Sequence, residues 1–162
     1  MTRRSVRCEL AGEAAQLEFG ARLARALGGR DAVIHLRGEL GTGKTTLVRG
    51  LLRALGYPGP VRSPTYTLVE PYDSIVPAVV HLDLYRLSDP EELDYLGVRD
   101  LSARTGLMIV EWPERGAGVL PPADIEIEIE HAGLARRVSV SGSSDWAPVM
   151  AALTLVGPDA DA

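Results

Sequence analysis

Between a short β-branched run, Ala32 to Arg37, and an amphipathic stretch, Lys44 to Leu55, lies Gly38-Glu39-Leu40-Gly41-Thr42-Gly43-Lys44-Thr45. This is a full match to the phosphate-loop pattern G-x-x-x-x-G-K-[ST]. In a chain of 162 residues the pattern arises by chance about 1% of the time or less at average residue frequencies. Its context is the required one: a strand runs in and a helix runs out. Glycines let the backbone curl so that its N–H groups converge on a phosphate. The helix that follows adds the positive end of its dipole. Lys44 is placed to reach the β- and γ-phosphates and Thr45 to offer its hydroxyl to Mg2+, with Thr46 behind it. The chain holds 17 basic residues, and Lys44 is its single lysine. A glycine loop entering a helix for purely structural reasons explains neither the lysine nor the threonine.

A nucleoside triphosphate also needs an acid near its metal, commonly at the end of a buried strand. Val79-Val80-His81-Leu82-Asp83 and Leu107-Met108-Ile109-Val110-Glu111 each run apolar and end in a carboxylate. In a parallel sheet such ends share an edge with the phosphate loop. Asp83 and Glu111 are therefore expected to converge on the metal and the attacking water, with Lys44 the third catalytic group. How the two acids divide those roles stays open at this point. A guanine clamp, N/T-K-x-D, needs a second lysine, so ATP is favoured over GTP. A small-metabolite kinase stays an alternative, but it should carry an arginine-rich lid, and Arg86, Arg99 and Arg104 are scattered, which favours hydrolysis.

The remaining pattern predicts an α/β fold: a mostly parallel central sheet with flanking helices and an antiparallel edge hairpin. Strands are expected at Val6 to Leu10, Thr65 to Glu70, Ala78 to Asp83 and Leu107 to Glu111. Helices are expected at Glu13 to Leu27, Pro90 to Leu96, Val98 to Arg104 and Trp146 to Leu155. Ile125, Ile127 and Ile129 alternate with Asp124, Glu126, Glu128 and Glu130. That segment should pair with Arg136 to Val140 as a hairpin with one wet face, its acidic row guarding a sheet edge. Residues 1–156 read as one domain and 157–162 as a frayed tail.

Composition narrows the functional classes. The net charge of −5 and the lack of a basic stripe argue against gripping nucleic acid directly, DNA included. No apolar run approaches the ~20 residues of a membrane span, and the basic start lacks an apolar segment of signal type. One cysteine, Cys8, excludes an internal disulfide framework and a multi-cysteine zinc site, and implies a reducing, cytoplasmic address. Cys8 reads as a small buried hydrophobe, and His35, His81 and His131 receive no catalytic role.

Four blocks, Gly38 to Thr46, Ser63-Pro64-Thr65-Tyr66-Thr67-Leu68-Val69, His81-Leu-Asp-Leu-Tyr-Arg86 and Glu111-Trp112-Pro-Glu114, together resemble the TsaE family. These are small bacterial P-loop ATPases of the tRNA threonylcarbamoyladenosine pathway. The resemblance runs from about Glu13 to the hairpin. It implies weak ATP hydrolysis in concert with TsaB and TsaD, which transfer the threonylcarbamoyl group, so that tRNA is met only through that complex. It implies further that Thr45 and Glu111 ligate Mg2+, that Asp83 orients or activates water, and that Ser63 to Thr67 sense the γ-phosphate as a switch. By the same likeness the adenine pocket draws on Glu13 and Arg137. Independently, Ser63 and Thr65 flank Pro64, whose fixed φ stiffens the turn. All five tyrosines fall in the middle section, with Trp112 just beyond. That concentration fits either sheet packing or a docking surface that responds to nucleotide. A nucleotide-switched binding module with incidental turnover is the corresponding alternative function.

Overall fold

The computed structural model describes residues 3–104 and 106–154. The expected tail at 157–162, and Leu155 of the expected last helix, lie outside the described residues. In chain order the elements are β1 (Arg3–Leu10), α1 (Gly12–Leu27), β2 (Ala32–Gly38), α2 (Lys44–Ala54), β3 (Val69–Tyr72), β4 (Val79–Asp83), α3 (Glu91–Tyr95), α4 (Val98–Arg104), β5 (Leu107–Glu111), β6 (Ile125–Ala132), β7 (Ala135–Ser143) and α5 (Ala147–Thr154). One seven-stranded sheet has the order β1-β7-β6-β2-β5-β4-β3. Pairings of β2 with β5, β2 with β6 and β4 with β5 are parallel, and the others are antiparallel.

Strands β4 and β5 are apolar throughout because both of their faces are covered. Leu107, Ile109 and Val79 join the core beneath α1, α2 and α5, whereas Met108, Val110, Val80 and Leu82 join the core beneath α3 and α4. Farther along the sheet only the first face is covered. Ile125, Ile127 and Ile129 of β6 are buried there, and the alternate positions Glu126, Glu128 and Glu130 face outward, half-buried or exposed. The wet-faced hairpin is thus as expected.

Its place in the sheet is not. Strand β1 starts at Arg3, earlier than expected, and pairs with β7 from Arg136 to Ser143, while β6 pairs with β2. The hairpin is interior, so its acidic row guards no edge; it lines a face that none of the described α-helices covers. A second correction concerns Thr65 to Glu70. Only Val69–Tyr72 is a strand. Residues 64–67 form a turn in which the Leu68 N–H donates to the Pro64 carbonyl at 2.8 Å, and Leu68 is left-handed at φ 67°. The Thr65 and Thr67 hydroxyls are engaged by Asp83 and Glu70. Side-chain bonding of this kind competes with a strand ladder.

Helices α1 and α2 pack backbone to backbone. A Cβ at Gly20 would strike the Leu47 carbonyl, and one at Gly50 the Leu17 carbonyl. This close approach brings the start of α1 beside the loop between β2 and α2.

Candidate functional site

Strand β2 ends at Gly38, where any Cβ would lie 2.7 Å from the Ile129 carbonyl oxygen and 2.8 Å from Thr42 Oγ1. Gly43 starts α2 in a left-handed conformation, φ 97°, which an L side chain adopts only at a cost of roughly 1 kcal/mol or more. Between them the chain curls. Thr42 Oγ1 donates to the Glu39 carbonyl at 2.9 Å. From α1, the Gln16 amide donates to the Thr42 carbonyl at 2.9 Å. From β7, Arg136 Nη2 reaches the Gly41 carbonyl at 3.4 Å. The first-turn N–H groups of α2, at Lys44, Thr45 and Thr46, have no intrahelical acceptors and constitute an anion-binding end.

Lys44 folds back over this loop. Its Nζ donates to the carbonyls of Gly38 at 2.6 Å and Glu39 at 2.9 Å and stands 4.6 Å from the centroid of the Trp112 ring. Burial holds the ammonium below the ordinary lysine pKa, opposed by the charges of Glu111, Asp83 and Glu114.

The two acids meet as the strand ends require. Asp83 and Glu111 are register partners on β4 and β5, and each is only 3% exposed. Asp83 is tied to the turn at 63–67. Its Oδ2 accepts from Ser63 Oγ at 3.2 Å and Thr65 Oγ1 at 3.0 Å, and its Oδ1 accepts from the Tyr85 N–H at 3.0 Å. Glu111 is tied to the phosphate loop: its Oε2 accepts from Thr45 Oγ1 at 3.2 Å. The same oxygen lies 2.6 Å from His81 Nε2.

These groups line a cavity of about 420 Å³ that holds Leu40, Gly41, Gly43, Lys44, Thr45, Thr46, Ser63, Thr65, Asp83, Tyr85, Arg86, Glu111 and Trp112. Trp112 also walls a second cavity of about 480 Å³, beside Gly38, Glu39, Thr42, Glu114, Glu128, Glu130 and His131. Trp112 is left-handed, φ 56°, an unfavourable conformation for a bulky residue. The tilted Tyr85 ring, 5.0 Å away, packs against it. Among the tyrosines, Tyr57 and Tyr72 meet edge to face at 4.8 Å and pack the protein. Tyr66 is 82% exposed under the Arg86 guanidinium at 4.3 Å.

Most of the expected site residues are therefore brought together. Pro64, Tyr66 and Thr67 belong to the same turn but do not line the cavity that holds Lys44 and the two acids. Glu13 and Arg137 are placed elsewhere. Glu13 is exposed and pairs with Arg49 at 3.6 Å, and Arg137 pairs with Glu9 at 3.7 Å across β1 and β7. Side chains alternate along a strand, so it is the adjacent Arg136 that faces the loop. Three residues without a role in the sequence reading prove to touch the machinery: Gln16, Arg136 and His81. For His81 a partial signal existed. Parity puts positions 79, 81 and 83 on one face with 107, 109 and 111, and the β4–β5 register then sets His81 diagonally from Glu111. Gln16 and Arg136 carried no such signal, since both reach the loop from distant segments.

Magnesium fits the donors present. Thr45 and Glu111 offer hard oxygens 3.2 Å apart, with the Asp83 carboxylate in the same cavity, and Mg2+ favours few protein ligands together with phosphate oxygens and water. Among the described residues no group of three or more His, Cys, Asp or Glu can hold a metal by itself. An ion here would need further ligands from water or a bound molecule.

The family model described as "Threonylcarbamoyl adenosine biosynthesis protein TsaE" matches residues 10–138. A tRNA threonylcarbamoyladenosine biosynthesis protein TsaE of Haemophilus influenzae is 43% identical over 132 residues, covering 79% of this chain and 84% of that one. Its counterpart in Aquifex aeolicus is 41% identical, covering 75% and 77%, and that of Streptomyces coelicolor 39% identical, covering 80% and 93%. The crystal structure of YdiB from Bacillus subtilis superposes with a TM-score of 0.78 at 24% identity, covering 95% of this chain and 97% of that one, which establishes the shared fold.

Proposed function

This chain belongs to the TsaE family of threonylcarbamoyladenosine biosynthesis proteins, and from that premise we propose that it binds and hydrolyses ATP as an accessory of this tRNA modification. TsaD and TsaB are its partners on this reading, and they perform the transfer; tRNA is met through the complex. The observation that carries the reading is one cavity in which a phosphate loop and its lysine face two buried carboxylates on adjacent strand ends. Lys44 leaves its two carbonyl acceptors to engage the terminal phosphates. Thr45 and Glu111 hold Mg2+, which supplies charge neutralisation at the phosphates when bound. Asp83, held by Ser63 and Thr65, orients water for attack on the γ-phosphorus. Such chemistry needs mainly positioning and charge. No described helix is long and apolar enough to cross a membrane.

A second reading, a binding module switched by nucleotide, has its own support in exposed Tyr66, beside the cavity and stacked with Arg86. One reconstitution decides between them. Multiple-turnover tRNA modification with purified TsaB and TsaD is expected to need this chain and ATP hydrolysis. Full modification over many turnovers with a variant that binds ATP but does not cleave it would establish the module instead. Modification indifferent to the chain would overturn both.

A further inference from the structure

We propose that His81 is a positioning residue that aims the Glu111 carboxylate, a role that rests on the reading of Glu111 as a ligand of nucleotide-borne Mg2+. His81 is 0% exposed, and its Nε2 lies 2.6 Å from Glu111 Oε2. A carboxylate that holds a metal only accepts hydrogen bonds, so in that role Glu111 has Nε2 as its donor. The other ring nitrogen, Nδ1, is buried without a partner among the described residues. Nε2 is thus the one ring nitrogen with a partner among the described residues, and that partner is Glu111.

The consequence falls on the carboxylate. The terminal torsion of a glutamate is intrinsically broad. Here the imidazole N–H and the Thr45 hydroxyl converge on the same oxygen, Oε2, while Oε1 accepts no bond from any described residue. That fixes the carboxylate plane and links it to the first turn of α2. The ring itself cannot drift, because β4 is buried over all five residues and is paired on both sides by β3 and β5. A partner behind a ligand commonly changes metal affinity ten- to hundredfold when removed. His81 touches the cavity only through Glu111, is not itself part of the lining and, on this reading, does not meet the nucleotide. Its effect is therefore confined to the metal-dependent part of binding.

The test uses the full chain and calorimetric titration of the non-hydrolysable ATP analogue AMP-PNP with and without Mg2+, alongside thermal melting. His81→Leu keeps bulk but loses the donor. It should leave metal-free binding within about twofold and cut the Mg2+-dependent gain in affinity by about tenfold. His81→Gln, whose amide can stand in for Nε2, should restore most of that gain; His81→Asn, whose amide reaches only the Nδ1 position, should not. If His81→Leu does not fold, the contrast between Gln and Asn decides. An undiminished Mg2+ gain in His81→Leu, equal behaviour of Gln and Asn, or parallel loss of metal-free binding would each overturn the proposal. A wild-type chain that binds no AMP-PNP would instead overturn the parent reading, and this one with it.

Discussion

The tips of β4 and β5 look alike in sequence, each an apolar run ending in an acid, yet the fold ties them to different parts of the molecule. Glu111 is bound inward, to Thr45 on α2 and to His81 within the sheet. Asp83 is bound outward, to Ser63 and Thr65 in the turn before β3. A group held by the phosphate loop and the core is fixed whatever the surface does. A group held by two hydroxyls of a surface turn changes when the turn moves. On the proposed function, the comparison turns two equivalent candidates into a division of labour, with Glu111 assigned to metal ligation and Asp83 to water control coupled to the turn.

The sharpest attempt to break that division is the pair Glu111→Gln and Asp83→Asn, assayed for AMP-PNP binding with Mg2+ and for phosphate release. Glu111→Gln should weaken Mg2+-dependent binding about tenfold or more and hydrolysis about a hundredfold or more. Asp83→Asn should leave binding within about threefold while hydrolysis falls about a hundredfold, the scale of a lost base or water-orienting group. Two variants that lose binding and turnover in the same proportion would collapse the distinction.

A smaller effect sharpens it from the loop side. If the turn acts through Asp83, removing the Ser63 and Thr65 hydroxyls together by alanine substitution should lower hydrolysis about tenfold. Mg2+–AMP-PNP affinity should stay within about twofold, and the melting temperature should barely move, because the hydroxyls are at least partly solvated and such contacts contribute little to stability. A change in nucleotide affinity matching the loss in rate would mean that the turn contacts the nucleotide directly and not through Asp83.

The asymmetry of the two tips also marks where sequence reading stopped. Spacing and strand ends sufficed to place Lys44, Thr45, Asp83 and Glu111 around one cavity, since the local chain determines a phosphate loop and a parallel sheet brings its carboxyl ends together. What tethers each acid is non-local. Ser63 and Thr65 were legible as a turn around Pro64, but the same stretch also read as a strand, because Thr, Tyr and Val suit either until the hydroxyls find Asp83. His81 was visible only by parity across two strands whose register no local pattern gives. The outer position of β1 was likewise hidden: an edge strand eight residues long and a solvated loop end differ mainly in whether β7 is there to pair with. Arg136 and Arg137 differ by one residue, and only the pleat of β7 decides which of them faces the loop.

The finest probe of the comparison is the lysine between the tips. Burial lowers the Lys44 pKa, and the opposing influences rank Glu111 ahead of Asp83. The unfolded chain therefore takes up a proton at Lys44 at higher pH than the fold does. From this group, stability rises with pH between the folded and unfolded values, and the full penalty applies below the folded one. Because Lys44 is the single lysine, selective 13Cε-lysine labelling should give one side-chain resonance, apart from any tag, whose titration reports this site alone. Its midpoint in the ligand-free chain should lie below the ordinary lysine value. Removing a negative neighbour disfavours the ammonium, so both Glu111→Gln and Asp83→Asn should lower it further, the first more than the second. Equal shifts, or the reverse order, would place the ammonium midway between the tips or nearer Asp83, and the inward tether of Glu111 would no longer distinguish the two acids electrostatically.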